Sequence, residues 1–302
     1  MTNTTSSPTQ RPLVSVCCVT FNQVDNISRA LESFVSQQVD FPVEVLVHDD
    51  CSSDGTREVV AEFAARYPNL VVPLLPNENQ YSKGVNVLAK VRGLARGKYI
   101  ALCEGDDFWS DPQKLSKQVA VLEAHPDVVM TGHKVIAVNA SGEPQRYFKR
   151  LTLFGKRYHE RNLTSDEMRS LEVVVPTCSR VIRNIPIELP PEAKQTMAGD
   201  AFLQVMLADH GSYKYLENVG PSYYRLSSAG VWSRLSRDTT LILELQLLAI
   251  LHSYFGRVGH EFARARVHQK QTAILIRILI LRGISALGLA PLWRRVKSWL
   301  PR

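Results

Sequence analysis

Along this chain the apolar positions alternate between two spacings. Leu13–Val19 is apolar except for Ser15 and ends in Thr-Phe-Asn, the pattern of a strand buried on both faces. Over Asp25–Gln38 the apolar residues Ile27, Ala30, Leu31, Phe34 and Val35 recur at helical spacing instead. The exchange then repeats. Strands are predicted over Val43–Val47, Leu70–Leu75 and Tyr99–Cys103, and helices over Asp54–Tyr67 and Val85–Ala95. This βαβαβαβ order with short connections predicts an α/β fold, a doubly wound and mostly parallel sheet flanked by helices.

Beyond Asp111 the pattern is less regular. Gln113–Ala124 reads as a helix, Val128–Val138 as one strand, and Thr164–Ser170 as a short helix capped by Thr164 or Ser165. Ala201–Ala208 reads as a helix and Tyr213–Tyr224 as strand and turn. After Ser236 the chain is Leu/Ile-rich and helical, a C-terminal helical extension. The expected organisation is a loose arm over 1–12, a domain over 13–230 with halves meeting near 124, and a tail over 231–302. No internal repeat is visible.

Composition adds little until charge is divided along the chain. Of 302 residues 45% are apolar and 22% charged, an ordinary globular balance. The net charge is +7, but Val231 onward holds 12 Lys+Arg against 3 acidic residues, so the tail carries +9 and residues 1–230 carry −2. The five cysteines form no CxxC pair, and Cys17, Cys18 and Cys103 lie in or beside apolar runs as small hydrophobes. The polar N-terminus has no secretory h-region, and a reducing cytoplasm is the expected compartment.

Ligands of doubly wound sheets bind beyond the C-terminal strand ends. That rule directs attention to Thr20–Asn22, His48–Ser53 and Glu104–Trp109. Cys103-Glu-Gly-Asp-Asp-Phe-Trp109 puts Glu104, Asp106 and Asp107 within four positions after an apolar strand. Crowded carboxylates stay ionised most readily around a divalent cation, and an all-oxygen set favours Mg²⁺ or Mn²⁺ over zinc. A solvated loop is the plainer explanation of an Asp-Asp pair alone. In Asp49-Asp-Cys-Ser-Ser-Asp-Gly55 a capping role suits Asp54, and Asp50 is the better ligand candidate. Lys83 and Arg92 read as solvated helix charges, His133 as a satisfied core group and Pro176–Ser179 as a turn.

Three segments, LVSVCCVTFNQVDNISRALESFVSQQV, VEVLVHDDCSSDGT and GKYIALCEGDDFW, together resemble the family 2 glycosyltransferases of the GT-A fold, over residues 13–124. The resemblance implies an inverting transferase of the non-processive bacterial type. It would take a nucleotide-sugar donor, a UDP-sugar being favoured, and use Mn²⁺ or Mg²⁺. The nucleotide-sugar half is then about 13–124 and the acceptor half about 125–230. By the same analogy Val19, Phe21 and Asn22 hold the nucleobase, Asp50 bonds its edge, and Asp106 or Asp107 face ribose and metal beside Glu104. Ala198-Gly-Asp200-Ala-Phe resembles the motif whose Asp is the catalytic base. On the residues alone Asp200 is an acid at a helix start, explained by the dipole. Trp109 and Trp232 are candidates for the acceptor side.

Two departures bear on this. Tyr224-Arg225-Leu226-Ser227 has Ser where family members carry a metal-site His, and the Gln-x-x-Arg-Trp motif of processive synthases is missing. The tail's apolar stretch over 273–290 is interrupted by Arg277 and Arg282, which argues against a membrane span and for surface contact through 272–302. The tail is too apolar for nucleic acid. The function expected is transfer to a saccharide or lipid-linked acceptor in surface polysaccharide or lipopolysaccharide synthesis, at the inner face of the cell membrane. The alternatives are an inactive nucleotide-binding scaffold and a sugar nucleotidyltransferase, though no Gly-rich phosphate loop follows the first strand.

Overall fold

The computed structural model describes residues 11–145, 160–196, 198–226 and 235–286. The chain divides into two units, Met1–Pro190 with Met197–Arg234, and Pro191–Thr196 with Leu235–Arg302.

The first unit follows the alternation in the sequence. Its opening elements are β1 (Val14–Thr20), α1 (Val24–Val35), β2 (Val43–Asp49), α2 (Thr56–Arg66), β3 (Val71–Leu74), α3 (Val87–Leu94) and β4 (Tyr99–Leu102). The next are β5 (Phe108–Trp109), α4 (Lys114–Ala124), β6 (Val128–His133), β7 (Val135–Val138) and β8 (Pro144–Gln145). After them come α5 (Ser165–Arg169), β9 (Val181–Arg183), α6 (Gly199–Leu207), β10 (Ser212–Leu216) and β11 (Ser222–Arg225). Seven strands form one sheet in the order β10-β6-β9-β4-β1-β2-β3, parallel throughout except β9, which runs antiparallel between β4 and β6. The inner strands of this sheet are buried on both faces. Ile27, Leu31, Phe34 and Val60 pack on one side, and Val91, Leu203 and Leu207 on the other.

Two differences from the sequence reading concern the second half. The expected strand over Val128–Val138 is two strands that part at Lys134: β6 stays in the large sheet, while β7 joins a second sheet of order β5-β11-β7-β8. An unbroken apolar pattern carries no mark of a change of sheet. Secondly, β9 is only three residues long between Pro176 and Pro186, too short for any periodicity, yet Val181 and Ile182 are wholly buried. Thr164 does cap α5, in a capping box with Glu167.

The second unit pairs α7 (Arg237–Val258) with α8 (Glu261–Ala286) around Leu251, Phe255, Val267 and Ile274. The strap Pro191–Thr196 lies with α7, where Glu192 takes a two-pronged ion pair from Arg257 at 2.7 and 2.9 Å. Among the described residues, one helix stretch, Asp238–Val258, is long and apolar enough to cross a membrane by length and composition alone.

Candidate active site

Because β1, β2, β3 and β4 are parallel, the loops that follow them gather at one edge of the sheet. The first two loops are stitched to each other. The Asn22 amide donates to Ser52 Oγ at 2.8 Å, and Asn22 Oδ1 accepts from the Ser53 amide at 3.0 Å. Asn22 holds φ 50°, a left-handed conformation that Asn tolerates better than most residues. Asp49 receives both the Ser52 amide and its hydroxyl. Asp54 stands one residue before Gly55, the N-cap of α2, and accepts from Thr56 N and Oγ1 and from Val24 N at the start of α1.

Asp50 is buried, with 1% of its surface exposed. Its Oδ1 accepts from the Gln80 amide at 2.8 Å and lies 3.2 Å from His48 Nε2, while Oδ2 accepts from the Tyr81 amide at 3.0 Å. Burial alone pushes the carboxyl up, but these donors outweigh it and hold it below the usual carboxylate range. Val19 is half-buried, and its carbonyl receives the Gly105 amide at 3.0 Å; Phe21 is 46% exposed.

The loop after β4 depends on Gly105. A Cβ there would stand 2.4 Å from Thr20 Oγ1, so only glycine lets this loop lie against the end of β1. Glu104 and Asp106 remain half-exposed on either side of it. The Glu104 carboxyl is pushed up to about 8, first by burial and then by repulsion from Asp106 and Asp200, with Arg180 opposing. Asp106 is raised by burial, with Arg225 opposing. Asp107 is buried: its Oδ1 takes the Arg225 amide at 2.9 Å, its Oδ2 has no hydrogen-bond partner among the described residues, and burial, with Asp106 and Glu104 beside it, drives its carboxyl well up. It braces β11 beneath the loop.

Asp200 opens α6, with its side chain 29% exposed. The wholly buried Arg180 holds it, donating Nη1 to the Asp200 carbonyl at 2.8 Å and lying 3.4 Å from Oδ2 through Nη2. Arg180 also bonds the Val175 carbonyl, and Thr177 Oγ1 reaches Asp200 Oδ2 at 3.5 Å. Arg225 Nε donates to the Asp106 carbonyl at 3.1 Å. Neither arginine was singled out for the site from the sequence. The available signal for Arg180 was a charge wedged between Cys178-Ser and Val181-Ile, where a solvated residue has no place.

Trp109 does not line an acceptor surface. Its ring is 4% exposed and packs on Phe34 at 4.7 Å, and its Nε1 donates to the Cys178 carbonyl at 2.8 Å. Below it Lys114, fully buried, donates to Gln118 Oε1 at 2.7 Å, and burial pushes its ammonium down to about 7. His133 is buried beside Ser222, as a core group. Lys83 pairs with Glu78 at 2.5 Å. Trp232 and Ser227 lie outside the described residues.

Carboxylates crowded and partly enclosed fit a divalent cation, which would relieve the repulsion that raises Glu104. Among the described residues no group of three His, Cys, Asp or Glu side chains is placed to hold a metal ion.

A parallel sheet with carboxylates at the ends of β4 and α6 defines a GT-A type α/β fold, and two solved structures share it. The mannosyltransferase PcManGT of Pyrobaculum calidifontis, solved with GDP-Man and Mn²⁺, aligns with a TM-score of 0.58 at 17% identity, over 97% of this chain and 81% of that one. Staphylococcus aureus TarS residues 1–349, solved with UDP, aligns with a TM-score of 0.51 at 21% identity, over 80% of this chain and 72% of that one. Residues 15–184 match the description of Glycosyl transferase family 2, and the chain belongs to that family. An uncharacterized Mycobacterium tuberculosis protein, Rv1520, is 36% identical over 269 residues, 87% of this chain and 74% of its own length. TarS, named a poly(ribitol-phosphate) beta-N-acetylglucosaminyltransferase, is 32% identical over 138 residues, 45% of this chain and 23% of its own.

Proposed function

We propose that this glycosyltransferase moves a sugar from a nucleoside-diphosphate donor to a saccharide or lipid-linked acceptor with inversion, in the synthesis of a surface polymer. The observation that carries the reading is that Glu104 lies close enough to Asp106, Asp200 and Arg180 at the C-terminal edge of the sheet to feel all three charges, with Arg180 paired to Asp200. The printed activity of TarS supports a polymeric acceptor, and its UDP complex supports a uridine donor.

In this reading Asp200 is the base. An acceptor hydroxyl gives its proton to the Asp200 carboxylate as its oxygen bonds to the anomeric carbon, while the bond from that carbon to the diphosphate oxygen breaks. One displacement inverts the centre. Arg180 keeps Asp200 oriented and lends it positive charge, so the carboxylate is fixed before the acceptor arrives. Glu104 and Asp106 would hold Mn²⁺ or Mg²⁺, which when bound supplies positive charge opposite the leaving diphosphate.

The helical unit fits work at a membrane surface. Ile242, Phe262, Leu275 and Ile276 are exposed on α7 and α8, and Arg266 is exposed on the same unit. We place the protein in the cytoplasm, peripheral on the inner face of the membrane. Sedimentation with anionic vesicles should carry the protein down; recovery in the supernatant at low salt removes this part of the proposal.

The test of the chemistry is Asp200→Asn with UDP binding and sugar transfer measured together. Retained binding with lost transfer supports the base. Unchanged transfer rejects it, and a wild-type chain that binds nucleotide but transfers nothing to any acceptor favours the scaffold.

A further inference from the structure

Lys114 is wholly buried, and the proposed chemistry does not use it. We infer that Lys114 and Gln118, one turn apart on α4, are positioning residues for Asp200: they fix the turn over Thr177–Arg180, and that turn fixes the carboxylate. The inference rests on the reading of Asp200 as the base.

The first ground is how fully this segment is tied down. Val175 to Arg180 lies outside strand and α-helix, with one 3₁₀ turn at Thr177–Ser179, yet every carbonyl along it receives a donor. The Arg180 guanidinium serves Val175, the Ser179 amide and hydroxyl serve Pro176, the Arg180 amide serves Thr177, and the Leu102 amide serves Arg180. The remaining two are met by side chains from other elements. Trp109 Nε1 at 2.8 Å and Ser222 Oγ at 3.0 Å donate to Cys178, and Gln118 Nε2 at 3.0 Å donates to Ser179. A buried carbonyl that loses its donor is costly, so the turn keeps its place as long as these side chains keep theirs.

The second ground is what a lysine does here that an apolar residue would not. A glutamine amide can turn over with little change of shape, which would aim Oε1 at the Ser179 carbonyl and break that bond. The Lys114 ammonium has donors only, and it gives one to Gln118 Oε1 at 2.7 Å. Nε2 is thereby left facing the Ser179 carbonyl, with Thr131 Oγ1 at 3.2 Å. The same Nζ lies 4.2 Å from the centre of the Trp109 ring, so Lys114 meets two of the three side chains that hold the turn. A methionine would fill the space without the cost of burying an amine.

The third ground is what the turn carries. Thr177 Oγ1 lies 3.5 Å from Asp200 Oδ2, and Arg180 holds the Asp200 carbonyl at 2.8 Å and Oδ2 at 3.4 Å. Both of these partners of Asp200 stand on the turn.

Urea unfolding of the full chain, in a double-mutant cycle of Gln118→Met with Asp200→Asn, tests the link without any substrate. Independent sites would have effects on the unfolding constant that multiply to within about twofold. The expected result departs from the product by more than that, because the loosened turn has already weakened what Asp200→Asn removes. Gln118→Glu carries the same cycle should the Met variant fail to fold; it keeps the acceptor for Lys114 and turns an oxygen toward Ser179. Gln37→Met is the control. Gln37 holds the start of α4 through the Leu115 amide and the Asp111 carbonyl, and its effect should simply multiply with that of Asp200→Asn. Sugar transfer gives the second readout: Gln118→Met should lose about tenfold or more in kcat per folded molecule, keep UDP affinity within about twofold, and add little in an Arg180→Met background. Effects that multiply in the Gln118 cycle, a Gln37 control that couples as strongly, or an unchanged kcat each overturn the inference. Wild-type transfer by Asp200→Asn overturns the base reading instead, which separates the two failures.

Discussion

Behind β2, the oxygens of Asp49, Asp50 and Asp54 are met by amides and hydroxyls of the protein itself. Behind β4, Glu104 is raised by burial and by Asp106 and Asp200, and Asp106 by burial, with Arg180 and Arg225 among the groups that offset them. The same residue type thus has two energetic signs along one sheet edge. Asp50 and Asp54, whose donors hold them below the usual carboxylate range, add stability above their unfolded pKa that is lost as pH falls through the depressed folded value. A carboxylate raised by its neighbours costs stability and gains from a cationic ligand. Acidic residues at strand ends are therefore sorted by who supplies their donors, which spacing alone does not tell.

The sharpest break between the groups is functional. Asp200→Asn should cut transfer by about 10²–10⁴ while nucleotide affinity and melting stay near wild type, measured on one preparation. Next in size is Arg180→Met. It leaves the Val175 and Asp200 carbonyls without this donor and should cost about 1–3 kcal/mol in denaturant unfolding, with a loss of transfer beyond the loss of folded protein. Asp54→Ala belongs to the architectural group. It should cost about 0.5–2 kcal/mol, as loss of a cap does, and leave Asp200 chemistry intact.

Lys114 extends the comparison beneath the site. Its ammonium, pushed down to about 7, binds fewer protons folded than unfolded between there and the ordinary lysine range. Folding stability from this residue therefore rises with pH from about 7 upward, by at most about 1.4 kcal/mol per unit. Lys114→Met should remove that slope, read as the wild-type-minus-variant difference across pH 6–10. The smallest effect is expected of Trp109→Phe, about 1 kcal/mol for the lost bond to the Cys178 carbonyl. The acceptor KM should not move.

These contrasts also show where the sequence was legible. The alternation of β1 through β4 was, because strands buried on both faces and helices buried on one write different periods. The split at Lys134 and the insertion of β9 were not, since both are decisions of partner rather than of pattern. In the site, Glu104 and Asp106 stood out as carboxylates crowded behind an apolar strand, whereas Asp200 was named only through the resemblance. Trp109 could not be told from a surface aromatic.

The strap Pro191–Thr196 has a consequence for anyone who trims this chain. It leaves the first unit, lies along α7, and returns only three residues before Asp200. A shortened chain ending at Arg234 would look like a tidy catalytic half, yet it would strip Arg257 from Glu192 and Gln246 from the Gln195 carbonyl. The helical unit is in this sense not a removable tail: its partners hold a segment that lies in the middle of the sequence, so no single cut at Arg234 separates the two units cleanly.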